Sequence, residues 1–512
     1  MMYRTLVGLS LLATAGCAGV GGTRGRTGPP PPPVQQEFRA AWIATVANID
    51  WPSEKGLRSG EQQAELRALL DRAVALNLNA VILQVRPAAD ALYVSSLEPW
   101  SEYLTGDMGK APFPFYDPLE FAVEEAHRRG LEIHAWFNPF RAHHPTGSSP
   151  ISENHISVLQ PDLVVEYGAY MWLDPGDWRA RQHSIEVIMD VVRRYDIDGV
   201  HMDDYFYPYE ISDSLGQTIS FPDTLSWTGS IAESDTLSLN DWRRNNVDLF
   251  VEQLYAEIKA AKPSVKFGIS PFGIWRPGYP EQIQGYDAYD RIFADSRKWL
   301  RSGWVDYFTP QLYWSIEKPE QSYPVLLQWW QEQNVMNRHL WPGNFTSRVI
   351  ATDGTVWSPA EIVDQIHETR QNTGASGNVH FSMKALLKHP KNMGPELAAN
   401  SYIEPAVIPP SPWLTNSQPA APKIDIEMLG RRIVVSIDPG NEAVFRWVVR
   451  TRHGSVWTTH VIPGWQQSYV LDGIEPAMPH AVIVNAVDRF GNISADAQIQ
   501  DVTPALAESQ RF

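Results

Sequence analysis

The chain has one cysteine, Cys17, among 512 residues. That excludes an internal disulfide framework and any zinc site built on paired cysteines. Basic charge is also scarce: 42 Lys and Arg stand against 59 Asp and Glu, a formal net charge of -17. Nucleic acid calls for clustered cations, so no nucleic-acid partner is expected. There is no His-x-His pair, no HExxH and no third acid at set spacing, so no metal and no cofactor is expected. No Gly-rich phosphate loop follows the first strand-like run. What the chain has in excess is tryptophan, 20 residues. Two uses fit: a core rich in large aromatics, or a cleft whose flat apolar walls stack on sugar rings.

The N-terminus reads Met1-Met2-Tyr3-Arg4, an apolar run Thr5 to Ala15, then Gly16-Cys17. A charged start, a short apolar segment and small residues at a cut site make an export signal, too short to span a bilayer. With Cys17 after Ala15-Gly16 it resembles a bacterial lipoprotein signal, with Cys17 lipidated; Thr14 departs from the usual Leu or Val. A plain secretory signal with a chance Cys is the other reading. The expectation is an exported lipoprotein, held to the outer membrane and facing the periplasm. The Gly- and Pro-rich residues 18–36 are predicted to be a disordered tether.

From Phe38 onward, strand-like runs alternate with helix-like ones. The strand-like runs are 38–46, 80–85, 131–139, 198–204, 266–272, 305–314, 339–345 and 378–383. Between them lie 60–76, 117–129, 177–195, 241–261, 288–302, 320–333 and 359–373, with amphipathic spacing. This alternation predicts an α/β fold, a (β/α)8 barrel over 37–403, with a doubly wound open sheet as the alternative. "YGAYMWLDPG" at 167–176 is expected to form a hairpin. A Pro- and Ser-rich linker is predicted at 404–422. Short alternating strands over 423–505 predict a small all-β sandwich resembling fibronectin III or immunoglobulin modules.

Strand ends at the C-terminal mouth carry the chemistry of such barrels. "DGVHMDDYFYP" at 198–208 puts two adjacent acids, Asp203 and Asp204, where the fourth strand emerges. If Val200 and Met202 face the helices, alternation turns His201 and Asp203 into the mouth. Other strand ends offer Gln84, Arg86, His134, Trp136, Asn138, Gln311, Tyr313, Trp314, Asn344 and Lys384, with Tyr205 just past the acids. Amides, a guanidinium and indoles around a carboxylate suit a neutral polyhydroxyl ligand. Neighbouring acids raise one another's pKa, so one can stay protonated near neutral pH, as a general acid must. Turn capping and a divalent ion held with His201 are the alternatives for the pair.

Six ordered motifs carry a resemblance: "FRAAWIATVANIDWPS" (38–53), "QVRPAADALY" (84–93), "WFNPFR" (136–141), "DGVHMDDYFYP", "ISPFGIWR" (269–276) and "PQLYW" (310–314). Over roughly 37–400 the chain resembles the glycosyl-hydrolase-like 10 family. The resemblance implies a TIM-barrel glycosidase of the bacterial envelope, some of whose relatives cut peptide-free peptidoglycan strands. Asp203 is similar in place to the strand-four nucleophile of amylase-type barrels. "DGVHMDDY" is similar to the chitinase-type DGxDxDxE signature, but His201 replaces its middle Asp and Tyr205 its final Glu. Strand five, "GISPFG", lacks the Glu of an amylase-type acid. Asp203 and then Asp204 are therefore the expected catalytic residues. Asp50, Asp174, Asp90, Glu210 and Glu317 are the pool for a missing partner. The expected function is an envelope glycoside hydrolase acting on a polysaccharide. A non-catalytic glycan-binding lipoprotein is the rival, and a scaffold that uses the sandwich for protein contacts is a third class.

Overall fold

The computed structural model describes residues 28–232, 236–387, 393–472, 478–500 and 502. The export signal and Cys17 lie outside these residues.

Eight parallel strand positions form the core: β1 (Phe38–Ile43), β2 (Ala80–Arg86), β3 (Glu132–Phe137), β4 (Gly199–Met202), β5 (Lys266–Ile269), β6 (Tyr307–Phe308), β7 (His339–Leu340 and Gly343–Asn344) and β8 (Gly377–His380). The seventh is split because Pro342 has no N–H to give the ladder. Its first half pairs with β6 and its second with β8. Trp341 N donates to Phe308 O at 2.9 Å, and Pro342 O accepts from Val379 N at 3.1 Å. β8 pairs with β1, and β1 through β6 pair in chain order. The ring is therefore closed: this is a (β/α)8 barrel, not an open sheet.

Long helices cover the outside, among them Ser59–Ala75, Trp178–Arg194 and Leu239–Ala261. Strand alternation sorts the side chains. Val200, Met202, Phe267, Ile269 and Phe308 join the core between strands and helices. Phe38, Ala40, Trp42, Ile82, Trp136, Tyr307 and Trp341 fill the inside of the ring. Val200 and Met202 are fully buried, each stabilising the fold by roughly 1.5–3 kcal/mol. The inward places of the fourth strand are left to His201 and the residues after it. The predicted hairpin is there, shifted upstream: Val164–Tyr167 pairs with Tyr170–Leu173, and Arg141–His143 adds a third strand.

Seven strands between Lys423 and Ile499 form a two-sheet sandwich, three strands in one sheet and four in the other. It sits on the barrel's N-terminal end. Arg446 donates to Asn79 O at 2.8 Å, just before β2, and Lys266, at the start of β5, donates to Arg489 O at 3.2 Å. Trp413, from the segment before the sandwich, donates to Asp306 Oδ1 at 2.9 Å, just before β6. The sandwich thus lies at the end opposite the strand termini that carry Asp203. The proline run of the expected tether also makes contacts. Trp457 Nε1 donates to Pro29 O at 3.1 Å and an Arg450 amine to Pro32 O at 2.9 Å, both from the sandwich.

Candidate active site

At the C-terminal mouth a cavity of about 270 Å³ opens over the barrel interior. Trp42 and Trp136 line it from the barrel interior, and Tyr313, Phe345 and Phe381 contribute aromatic rings. The Tyr313 and Phe345 rings stack at 4.7 Å. Gln84, Arg141, His144, Asp203, Tyr205, Ser270 and Gln311 supply polar groups. Nine of the 20 tryptophans are buried away from the cavity, among them Trp51, Trp172, Trp299, Trp330, Trp341 and Trp447, which are fully buried. The excess is thus chiefly core, with Trp42 and Trp136 at the cavity.

Asp203 faces the cavity and is held by three donors. Its Oδ1 accepts from the Asp204 backbone N–H at 2.9 Å and from Gln311 Nε2 at 3.3 Å; its Oδ2 accepts from Asn138 Nδ2 at 3.4 Å. Asp204 sits behind it, 3% exposed. Asp204 Oδ2 accepts from the Tyr209 hydroxyl at 2.6 Å, and its Oδ1 has no hydrogen-bond partner. Burial raises the pKa of both carboxyls. The neighbouring Asp203 charge adds to the effect at Asp204, which lies well above the usual carboxylate range. Two carboxyls this close cannot both ionise cheaply, so the pair takes up a proton at higher pH than a lone carboxyl does. The phenols of Tyr205 and Tyr313 are also pushed well up, by burial and then by the aspartate charges, so both remain neutral hydroxyls.

Beneath the cavity runs a buried hydrogen-bonded column. Trp42 Nε1 donates to His201 Nε2 at 3.0 Å, and Ser270 Oγ lies 3.0 Å from the same nitrogen. An accepting Nε2 puts the proton of neutral His201 on Nδ1, which meets Tyr307 OH at 2.9 Å. Tyr307 OH also meets His134 Nδ1 at 2.9 Å, and His134 Nε2 meets Glu132 Oε2 at 3.0 Å. Lys266 closes the column on Glu132 Oε1 at 2.8 Å. Burial holds the His201 pKa well below the usual imidazole range. His201 is therefore a neutral support beneath the cavity, not an acid and not a wall.

Of the residues expected at the mouth, Gln84, Trp136, Asp203, Tyr205, Gln311 and Tyr313 line the cavity together. Asn138 is fully buried and reaches it only through its bond to Asp203. Arg86 does not face it. A β-bulge between Gln84 and Arg86 breaks the alternation, so Arg86 pairs with Phe137, a residue of the outer core. Its guanidinium grips Glu98, Asn138 O and Pro139 O instead. Asn344 is likewise fully buried, bonded to Gln365 and Asn378, because Gly343 takes the place beside inward Val379. Trp314 packs on Phe272 at 5.6 Å, outside the cavity lining.

The pool for a second acid is placed elsewhere. Asp50 staples β1 to the segment after β8, accepting from Ala44 N, Ser382 Oγ and Lys384 N. Asp174 caps a turn at Gly176 N and Asp90 one at Ala88 N; burial raises each to about 6. Glu210 pairs with Arg291 at 2.7 Å, and Glu317 is exposed. Among the described residues, Asp203 is the one carboxyl that lines the cavity. Trp42, Arg141, His144, Ser270, Phe345 and Phe381 line it unforeseen. For Trp42 the signal was present, since it shares parity with Phe38 and Ala40. Among the described residues no cluster of three or more His, Cys, Asp or Glu is placed to hold a metal ion.

A closed barrel with an acid pair and aromatic walls at its C-terminal mouth is a class of scaffold on which glycan chemistry is built. The chain belongs to the glycosyl hydrolase-like 10 family, whose model matches residues 37–355. It is 41% identical over 478 residues to the glycosyl hydrolase YngK of Bacillus subtilis strain 168, covering 90% of this chain and 92% of the relative. It is 36% identical over 326 residues to the glycosyl hydrolase DigH of Escherichia coli K12, covering 59% of this chain and 72% of the relative. Among solved structures, the PgaB (BpsB) glycoside hydrolase domain of Bordetella bronchiseptica aligns at a TM-score of 0.45 and 13% identity. That alignment covers 72% of this chain and 99% of the domain, a likeness too loose to bear on the site.

Proposed function

We propose that the protein is a glycoside hydrolase of the cell envelope acting on peptidoglycan glycan strands freed of their peptides. The observation that carries this reading is the Asp203–Asp204 pair, Asp204 buried and Asp203 half-buried and open on one side to a cavity walled by indole and phenyl rings. Rings of this kind stack on the C–H faces of sugars, while Gln311 and Arg141 can meet hydroxyl groups. Asp203 gives the pair's proton to the leaving glycosidic oxygen, and the negative pair then faces the oxocarbenium-like centre. Asp204 acts through Asp203, as the group that keeps a proton in the pair at neutral pH. The family and the names of the relatives support hydrolysis of a glycan. The export signal and Cys17 support an outer-membrane lipoprotein facing the periplasm.

The test is release of new reducing ends from purified denuded strands, compared with strands that still bear peptides. Wild type should act on the denuded strands, and Asp203→Asn should lose the activity without losing its fold. Equal activity in the variant would remove the reading. One observation favours the rival, a glycan-binding protein without catalysis: strand five brings Ser270 to the cavity where an acid would be expected. Binding without new reducing ends would establish that rival.

A further inference from the structure

We propose that the second catalytic group of this site is supplied by the substrate: the carbonyl oxygen of a 2-acetamido group on the sugar undergoing cleavage. The inference rests on the hydrolase reading above and adds the identity of the nucleophile.

Three observations converge on it. The first concerns where the acids are. Glycosidic cleavage between two protein carboxyls needs them on opposite sides of the bond, about 5–5.5 Å apart for retention and about 6.5–9.5 Å for inversion. Here Asp203 and Asp204 are chain neighbours, one directly behind the other, and Asp204 is bonded to Tyr209 away from the cavity lining. Among the described residues no other carboxyl lines the cavity. Asp50, next in the chain to the lining residue Ile49, has its oxygens occupied by Ala44 N, Ser382 Oγ and Lys384 N.

The second concerns the remaining nucleophiles. Tyr205 and Tyr313 line the cavity, but their environment holds them as neutral phenols, which attack poorly and donate hydrogen bonds well. They are suited to hold a carbonyl oxygen or a carboxylate in place.

The third concerns the cavity's inner end. Polar groups there are already engaged within the protein. Trp42 Nε1 is bonded to His201, Gln84 Oε1 accepts from Thr45 N and Val46 N, and Gln84 Nε2 donates to Asn138. Ser270 Oγ, at His201 Nε2 and Met202 O, is the remaining hydroxyl on this floor. A methyl group fits against the Trp42 and Trp136 rings. The Tyr205 and Tyr313 hydroxyls line the cavity as donors, while Trp136 Nε1 is buried without a partner. An amide substituent matches such a surface: one methyl for the rings and one oxygen for a spare N–H or O–H.

The step balances as follows. The acetamido oxygen forms a bond to the anomeric carbon while that carbon's bond to the glycosidic oxygen breaks. The electron pair leaves on the glycosidic oxygen, which takes the proton held by the aspartate pair. The sugar becomes an oxazolinium ion whose single positive charge faces the two carboxylates left behind, so the site keeps its net charge of one negative. Water then attacks the anomeric carbon from the side the leaving chain has vacated and returns a proton to the pair. The acetamido group re-forms, and the anomeric configuration is retained.

The test uses the full chain and denuded glycan strands that have been chemically de-N-acetylated and then re-acylated with acetyl, fluoroacetyl or trifluoroacetyl groups. Fluorine drains the carbonyl oxygen of electron density and adds little bulk. If that oxygen attacks, kcat falls with each step, by about 10²-fold or more from acetyl to trifluoroacetyl, because the internal nucleophile is being removed. Early product spectra should show the retained anomer. A rate that varies less than about threefold across the series, or an inverted product, overturns the inference while leaving the hydrolase reading in place. If strands carrying the acetyl group release no new ends at all, the hydrolase reading falls and the inference with it.

Discussion

Replacing Asp204 with Asn separates the chemistry from the stability of the fold. Asp204 is 3% exposed, with Oδ1 unpartnered and Oδ2 bonded to Tyr209 at 2.6 Å. An amide keeps the shape, still accepts from Tyr209, and can donate to Asp203. It removes the shared proton, so Asp203 stays ionised at neutral pH and the general acid is lost. General acid catalysis contributes about 10²–10⁴-fold, so kcat at pH 7 should fall by that factor, roughly 3–5 kcal/mol of barrier. KM should move less than about threefold, since the aromatic walls are untouched. Lowering the pH should recover part of the loss as Asp203 takes up a proton. Stability should move the other way. The folded Asp204 pKa lies well above its unfolded value. The native state therefore binds more protons than the unfolded one, and stability falls as pH rises between the two values. Asn carries no such penalty. The variant should be more stable than wild type at pH 8, and the gap should close toward pH 4. Thermal melts at both pH values, paired with a pH–rate profile, test this. An unchanged profile together with a variant that melts lower at pH 8 would refute the shared-proton pair.

The buried pair of Arg86 and Glu98 should behave as structure: Glu98→Gln leaves a dry guanidinium without its counter-charge and should cost about 3–5 kcal/mol by denaturant titration. Glu98 is held down to about 2, with burial opposing and the Arg86 charge prevailing. The stabilisation from this ionised group should be complete above the ordinary glutamate range and fade as pH falls toward 2, measurable as an acid midpoint that moves up in the variant. Tyr307→Phe removes the hydroxyl joining His134 and His201, should cost about 1–3 kcal/mol by denaturant titration, and should leave the His201 ring-nitrogen resonances in the Nδ1–H form, because Trp42 still donates to Nε2. Arg446→Met, at the base of the barrel, should loosen the sandwich in hydrogen exchange while leaving reducing-end release per folded molecule unchanged, because its bond to Asn79 is at the opposite end from Asp203.

The alternation in "GVHM" placed Val200 and Met202 outside and His201 inside, and the closed ring bears this out. All eight strands were legible because the buried runs alternate with seven amphipathic helices. Side-chain direction was harder to read wherever the ladder is irregular. The bulge after Gln84 turned Arg86 to the outer layer, and Pro342 reset the seventh strand so that Asn344 faces Gln365. One-dimensional alternation carries no trace of either event. The engagement of Asp50 with Ser382 and Lys384, more than three hundred residues away in sequence, is a tertiary fact with no local signature. Arg141 and His144 reach the cavity from a strand added beside the predicted hairpin, a pairing that periodicity alone does not specify.

The most direct measurement is mass analysis of denuded glycan strands after incubation with wild type and with Asp203→Asn at neutral pH, both shown to be folded. Shorter fragments with free reducing ends from wild type, and intact strands from the variant, are the predicted result. Fragments from both proteins in equal amount would contradict the assignment of the acid pair at the barrel mouth.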